Sequence, residues 1–265
     1  MGLLFTTGIR TLELVIAQDR IGLGSYAGRV AGETLRLALE QKPIARLVVA
    51  TGSSQFEVLE SLVNEQGIDW TRVEAFHLDE YIGLSIDHPA SFCGYLKRRF
   101  VDRVPLKSFL YLDGVQEPYH MCQQAANAIW ASPVDLALVG IGENGHLAFN
   151  DPPADFLTTD AFRIVDLDDA CRRQQVGEGW FDHLDHVPRR AMSMTIHQIM
   201  QSQKIICSVP DRRKSLAVFN SIEGVVTPQV PASILQTHSN ITMVLDLGSA
   251  SGLSVQLQSV ANKLT

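Results

Sequence analysis

The stretch Val134–Pro153, VDLALVGIGENGHLAFNDPP, decides the reading of this chain. Its opening run is apolar and of strand length, and it empties into a glycine-bearing polar turn that carries Glu143, Asn144, His146 and Asp151. Ionisable side chains just past the carboxyl end of a parallel strand stand where open α/β sheets hold their ligands. A second such tip lies upstream, where Val73, Ala75, Phe76 and Leu78 lead into Asp79 and Glu80 of the turn LDEYIGL. Two acidic turns of this kind suggest proton-transfer chemistry.

Outward from these points, short branched apolar runs alternate with helical periodicity. Strands are expected at Leu12–Ala17, Arg46–Ala50, Val73–Leu78, Ser108–Leu112 and Val134–Gly140, with helices at Ser25–Gln41, Phe56–Gln66, Ala90–Val104 and Glu117–Ala131 between them. Further strands are expected at Phe162–Val165, Ala191–Thr195, Lys204–Val209 and Ile241–Leu245, and helices at Ile196–Gln201 and Arg212–Glu223. The expectation is one α/β domain spanning residues 1–265, a mostly parallel sheet with helices on both faces. No repeat, low-complexity tract or linker-like run interrupts it; Thr227–Pro231 reads as a loop and the end of the chain as a polar tail. Gly140, Gly142 and Gly145 spell GxGxxG after a strand, but Asn150, Asp151, Pro152 and Pro153 prevent the uninterrupted helix that a dinucleotide site needs.

A net charge of −7 with no basic block argues against a nucleic-acid or anionic-lipid partner. Cys93, Cys122, Cys171 and Cys207 are widely separated with no CxxC pair, which reads as buried free thiols in a reducing, cytoplasmic setting. The N-terminal segment MGLLFTTGIRTLELVIAQD, broken by Arg10 and Glu13, carries no apparent secretory signal, and nothing is long enough to span a bilayer.

Candidate binding groups follow the strands. Thr51, Gly52, Ser53 and Ser54 come after RLVVA and before a helix, where backbone amides and hydroxyls either cradle a phosphate or leave Ser54 as a plain cap. Lys214 opens another helix after KIICSV, a locally unfavourable place for a cation, where it either meets an anion or is an ordinary solvated lysine. Arg172 and Arg173 in CRRQQVGEGWF offer guanidinium groups suited to phosphate, or else an ordinary solvated pair. His146 between a glycine and an apolar pair can be oriented for proton transfer, and Asp79 or Glu80 presented from an apolar rim can serve as a base, against the reading of a solvated acidic pair. The eight histidines show no metal-ligand spacing.

Taken together, LDEYIGL with HPASF, GIGENGHLAFNDP, HVPRRAMSMTI and RRKSLAVFNSIEG resemble the glucosamine-6-phosphate deaminase/isomerase family, in order and over most of the chain. The resemblance implies a Rossmann-like sheet that commonly assembles into oligomers. It also implies conversion of a small-molecule sugar phosphate, glucosamine 6-phosphate, with water into fructose 6-phosphate and ammonia, without metal or organic cofactor. It assigns Asp79 as the proton-shuttling aspartate and His146 as the histidine of GHxAFN. Asp151 falls at the acidic position after AFN and Asn144 where some members carry aspartate, which leaves Glu143 as a further acidic group near His146. Gly52, Ser53 and Ser54 match a phosphate loop that is usually richer in glycine, and Lys214 matches a phosphate lysine. CRRQQVGEGWF differs in length from the family pattern, so the phosphate arginine falls to Arg172 or Arg173. Rival expectations are a 6-phosphogluconolactonase, which would continue past its histidine toward SLFP, a galactosamine-6-phosphate isomerase, and a non-catalytic sugar-phosphate sensor.

Overall fold

Strands covered on both faces need helices on both sides, and the chain supplies them in alternation. A computed structural model describes residues 5–6 and 11–264; residues 1–4 and 7–10, part of the segment read for a secretory signal, lie outside the described residues. The strands are β1 (Phe5–Thr6), β2 (Thr11–Ala17), β3 (Ala45–Val49), β4 (Val73–His77), β5 (Asp79–Tyr81), β6 (Ser108–Leu110), β7 (Leu136–Val139), β8 (Phe162–Asp166), β9 (Arg190–Met194), β10 (Lys204–Val209), β11 (Ile241–Asp246) and β12 (Asn262–Lys263). The helices are α1 (Arg20–Gln41), α2 (Phe56–Val63), α3 (Phe92–Arg99), α4 (Pro118–Trp130), α5 (Asp169–Gly177), α6 (Ile196–Met200), α7 (Ser215–Ile222) and α8 (Val255–Val260).

The main sheet has the order β1-β2-β11-β10-β7-β3-β4-β6, with β12 also on β2, and only the β1–β2 pairing is antiparallel. From β3 the chain steps outward through β4 to β6, then returns to β7 on the other side of β3 and proceeds through β10 to β11. The order therefore reverses between β3 and β7, and a crevice opens beyond their carboxyl ends. The loops leaving those two strands are Thr51–Ser54 and Gly140–Gly145.

Period-two alternation divides each strand between two cores. Val48, Val139, Cys207 and Met243 pack with α4, α6 and α7, whereas Leu47, Val49, Leu138, Ile206 and Val244 pack with α1, α2 and α3. Helix α1 starts five residues before its expected position, because Asp19 caps it by accepting from the Gly22 amide at 2.8 Å. Gly24 weakens the sequence signal there, yet a Cβ at that position would come within 2.2 Å of the Glu57 Cβ, so the glycine lets α1 and α2 touch. All four cysteines are free and buried, and no helix among the described residues is long and apolar enough to cross a membrane.

Several segments differ from expectation, α5 among them, since no helix was expected at Asp169–Gly177. The polar tail contains α8 and returns as β12 to pair with β2. The LDEYIGL turn contains a short strand, β5, in a separate antiparallel sheet of order β5-β9-β8, with Asp79 opposite Ser193 and Glu80 opposite Met192. Alternation along β5 sends its two acids in opposite directions. Glu80 is fully buried and accepts hydrogen bonds from Ser91 Oγ at 2.7 Å and from the amides of Cys93, Phe92 and Tyr81 at 2.8, 3.2 and 2.9 Å. It is thus the anion at the amino end of α3. Burial raises its pKa, against the opposing pull of these donors. Glu80→Ala would strand four buried donors, and a loss of about 3 kcal/mol, or a Tm drop of about 6–12 °C, is expected in thermal unfolding; an unchanged Tm would remove this role.

Candidate active site

One cavity occupies the crevice at the reversal of strand order. It is lined by Thr51, Gly52, Ser53 and Ser54 after β3, Asp79 on β5, Gly140, Gly142 and His146 after β7, Gln174, Gln175 and Glu178 around the end of α5, and Lys214 before α7. Its empty volume, open mouth included, is about 570 Å³.

The β3 loop turns through Gly52, whose φ of 90° favours glycine, into a short 3-10 turn over Ser53–Gln55. No side-chain hydrogen bond caps α2, so Ser54 is not its cap; the Ser54 hydroxyl instead accepts from Gln55 Nε2 at 3.3 Å.

Asp79 is only 5% exposed, and its pKa is raised well above the ordinary carboxylate value by burial and then by neighbouring Glu80, with the Phe149 amide pulling the other way. His146 approaches Asp151 with Nδ1 3.1 Å from Oδ1. Burial alone would raise the Asp151 pKa, but the His146 contact, the Asn144 amide at 3.1 Å and the Asp168 N–H at 3.2 Å outweigh it and lower the value. Asp151 is therefore a fixed anion behind the imidazole, within ion-pair distance of Nδ1. On the far side, the Cε1–Nε2–Cδ2 edge lies 2.3–2.5 Å from where a Cβ on Gly142 would sit. The turn is held from outside: Gly142 donates to the His146 carbonyl at 3.0 Å, and Ala232, beyond the Thr227–Pro231 loop, donates to the Gly145 carbonyl at 2.9 Å. Ala148 has a φ of 50°, unusual for a residue with a Cβ, and Asn150 Nδ2 ties the bend down by donating to the carbonyls of Leu147 and Met194 at 2.7 and 2.8 Å.

The sequence from residue 19 to residue 244 matches the model of the family described as glucosamine-6-phosphate isomerases/6-phosphogluconolactonase. Over 246 residues, the chain is 32% identical to the glucosamine-6-phosphate deaminase of Clostridium acetobutylicum, which covers 90% of this chain and 99% of that protein. The chain belongs to this family. A solved structure of a monomeric glucosamine-6-phosphate deaminase superposes with a TM-score of 0.81 at 28% identity, over 90% of this chain and 99% of that one. The 6-phosphogluconolactonase of Thermotoga maritima, at 17% identity and a TM-score of 0.74 over 89% of this chain and all of its own, shares the fold.

In this family member not every residue expected from sequence meets the cavity. Asn144 bonds the backbone of His146 and the acid behind it: its Oδ1 accepts from the His146 amide at 3.1 Å while its amide holds Asp151. The Glu143 carboxylate lies 3.6 Å from Arg213, and its N–H donates to Gln174. Neither arginine reaches the pocket. Arg172 is buried against the carbonyls of Leu184 and Val187 and against Asp169, and Arg173 is exposed. Residues 174, 175 and 178 share the helical face that does reach it. Sequence reading missed Gln174, Gln175 and Glu178, although the Glu between two glycines in VGEGW was the available signal.

Lys214 is 6% exposed; burial lowers its pKa, countered by Glu178 and Glu143. Ligand atoms of His146, Asp151 and Cys171 lie within 4.8 Å of one another. Burial, followed by Asp151, Asp168 and Asp79, raises the Cys171 pKa well above the ordinary thiol value, which disfavours the thiolate that metal binding needs.

Proposed function

We propose that the chain, acting as one sugar-phosphate domain, converts glucosamine 6-phosphate and water into fructose 6-phosphate and ammonia. The observation that carries this reading is a single cavity shared by Asp79, His146, the Thr51–Ser54 loop and Lys214, groups delivered by separate strand tips. His146, oriented by Asp151, moves a proton between the anomeric hydroxyl and the ring oxygen and so opens the pyranose. The exposed aldehyde acidifies C2. Asp79 takes the C2 proton and returns it to C1 through an enolamine, one base serving both carbons from one face. Water then adds to the imine at C2, and ammonia leaves. The phosphate, met by the amides of the Thr51–Ser54 loop and by Lys214, supplies binding energy remote from the reacting carbons.

The test is ammonia release on incubating the purified protein with glucosamine 6-phosphate and with galactosamine 6-phosphate, beside an acid-release assay with 6-phosphogluconolactone. Ammonia release, greatest with the gluco epimer, is expected. Acid release alone would replace the reading with a lactonase, and no turnover of any substrate with retained binding would replace it with a sensor.

The environment of Asp79 sets a pH dependence. The base must be ionised to act, and burial raises its pKa. Activity should therefore fall, as pH decreases, at a pH above the ordinary aspartate range, and the kcat/KM profile of the free enzyme reads that limb directly. A limb at the ordinary aspartate value would show that some other group is being titrated.

A further inference from the structure

The phosphate end of the cavity contains a carboxylate that the mechanism does not use. Glu178 is almost wholly buried: its side chain is 6% exposed. It sits in the turn after α5, between Gly177 and Gly179, and Gly179 has a φ of 82°. Its oxygens accept from Gln174 Nε2 at 2.7 Å, Trp180 Nε1 at 3.3 Å and Ser53 Oγ at 3.3 Å, and Oε1 lies 3.7 Å from the Lys214 ammonium. Ser53 and Lys214 are two of the groups assigned above to the phosphate. Both face Glu178.

No other cation among the lining residues offsets it. Arg213 is held by Asp211 at 2.8 Å and lies 3.6 Å from Glu143, and Arg20 is paired with Glu57 at 2.9 Å and spends an N–H on the Ser53 carbonyl. The subsite thus pairs one cation with one anion, and an entering phosphate meets no net positive charge from side chains. A carboxylate and a phosphate are both oxygen anions, and Glu178 already accepts from the Ser53 hydroxyl and draws on the charge of the Lys214 ammonium, so the two anions compete in a buried place where charges interact strongly.

We propose that Glu178 is a specificity-determining residue that opposes the phosphate, holding down the affinity of this subsite for a dianion by competing for Lys214 and Ser53. The proposal rests on the sugar-phosphate reading of the pocket. Neutralising Glu178 should strengthen phosphate binding selectively, because Lys214 lies beyond hydrogen-bond distance of Glu178 and is not held in place by it.

The experiment is calorimetric titration of inorganic phosphate into the wild type, Glu178→Gln, Glu178→Ala and Lys214→Met, with thermal unfolding of each variant as a control for folding. Glu178→Gln is expected to tighten the phosphate Kd by at least about tenfold, equivalent to 1.4 kcal/mol. Glu178→Ala should shift in the same direction, and Lys214→Met should abolish binding both alone and together with Glu178→Gln. In turnover assays Glu178→Gln should lower the KM for glucosamine 6-phosphate. Unchanged or weaker phosphate binding in both Glu178 variants would overturn the proposal and make Glu178 a positioning partner of Lys214 or an acceptor for a sugar hydroxyl. Absence of phosphate binding in every variant would overturn it as well. Tighter phosphate binding in Glu178→Gln without ammonia release by the wild type would leave the inference standing and remove the deaminase reading instead.

Discussion

Asp79→Asn is expected to lower turnover of glucosamine 6-phosphate by about 10²–10⁴-fold, the usual contribution of a positioned general base, and at the same time to make the protein more stable near neutral pH. Both effects have one origin. Asp79 is 5% exposed, beside Glu80, and its raised pKa means that the folded state resists its ionisation. A carboxyl group whose folded pKa exceeds its unfolded value contributes stability at low pH, and that contribution is lost as pH rises through the folded pKa. Asparagine keeps the shape and cannot ionise, so its advantage should be absent in acid, grow as pH rises from the unfolded-state value to the folded pKa and level off above it, at about 2–4 °C of Tm for each kcal/mol recovered. The relevant measurements are ammonia release and Tm against pH for the two proteins. Near-normal activity in Asp79→Asn would remove Asp79 as the base. A Tm difference that does not vary with pH would contradict the ionisation cost.

The parts of this molecule that were legible from sequence are those in which local pattern and tertiary role agree. The branched runs of β3, β7, β10 and β11 are apolar on both faces because both cores use them, and their spacing already implied parallel strands with crossover helices. The site was legible as strand tips, since Asp79, His146, Ser53 and Lys214 all follow or end such runs. What sequence concealed depended on distant partners. Asp79, Glu80 and Tyr81 form a strand only because β9, more than a hundred residues away in sequence, pairs with them, and two consecutive acids are poor strand formers by themselves. The paired arginines drew attention as phosphate ligands, whereas the rotation of α5 turns Gln174, Gln175 and Glu178 to the cavity and buries Arg172 on backbone carbonyls. One-dimensional pattern marks a helix; which of its faces meets a pocket is set by what packs behind it.

That principle is sharpest at Gly142, where a residue with no side chain governs the imidazole proposed to open the sugar ring. Gly142→Ala is expected to lower kcat by about 10²-fold or more, because a 1 Å displacement of a reacting group can cost that much. The Cβ would lie 2.3 Å from His146 Cε1 and Nε2, closer than any two such atoms approach, so the ring must move. It has little freedom to move while keeping its partner, since Nδ1 faces Asp151 at 3.1 Å and the turn is closed by the Gly142 N–H on the His146 carbonyl at 3.0 Å. The alanine therefore either breaks the His146–Asp151 contact or shifts the ring along the cavity wall, and each impairs ring opening without touching Lys214 or Asp79. kcat should fall much more than KM rises. A double-mutant comparison isolates the cause: if Gly142→Ala acts through the imidazole alone, adding it to His146→Gln should cost nothing further, because the group it displaces is already gone. Additive losses in the double variant would mean that the alanine damages the loop more broadly, and a near-normal single variant would mean that the His146 ring does not need to lie over Gly142 for the reaction to proceed.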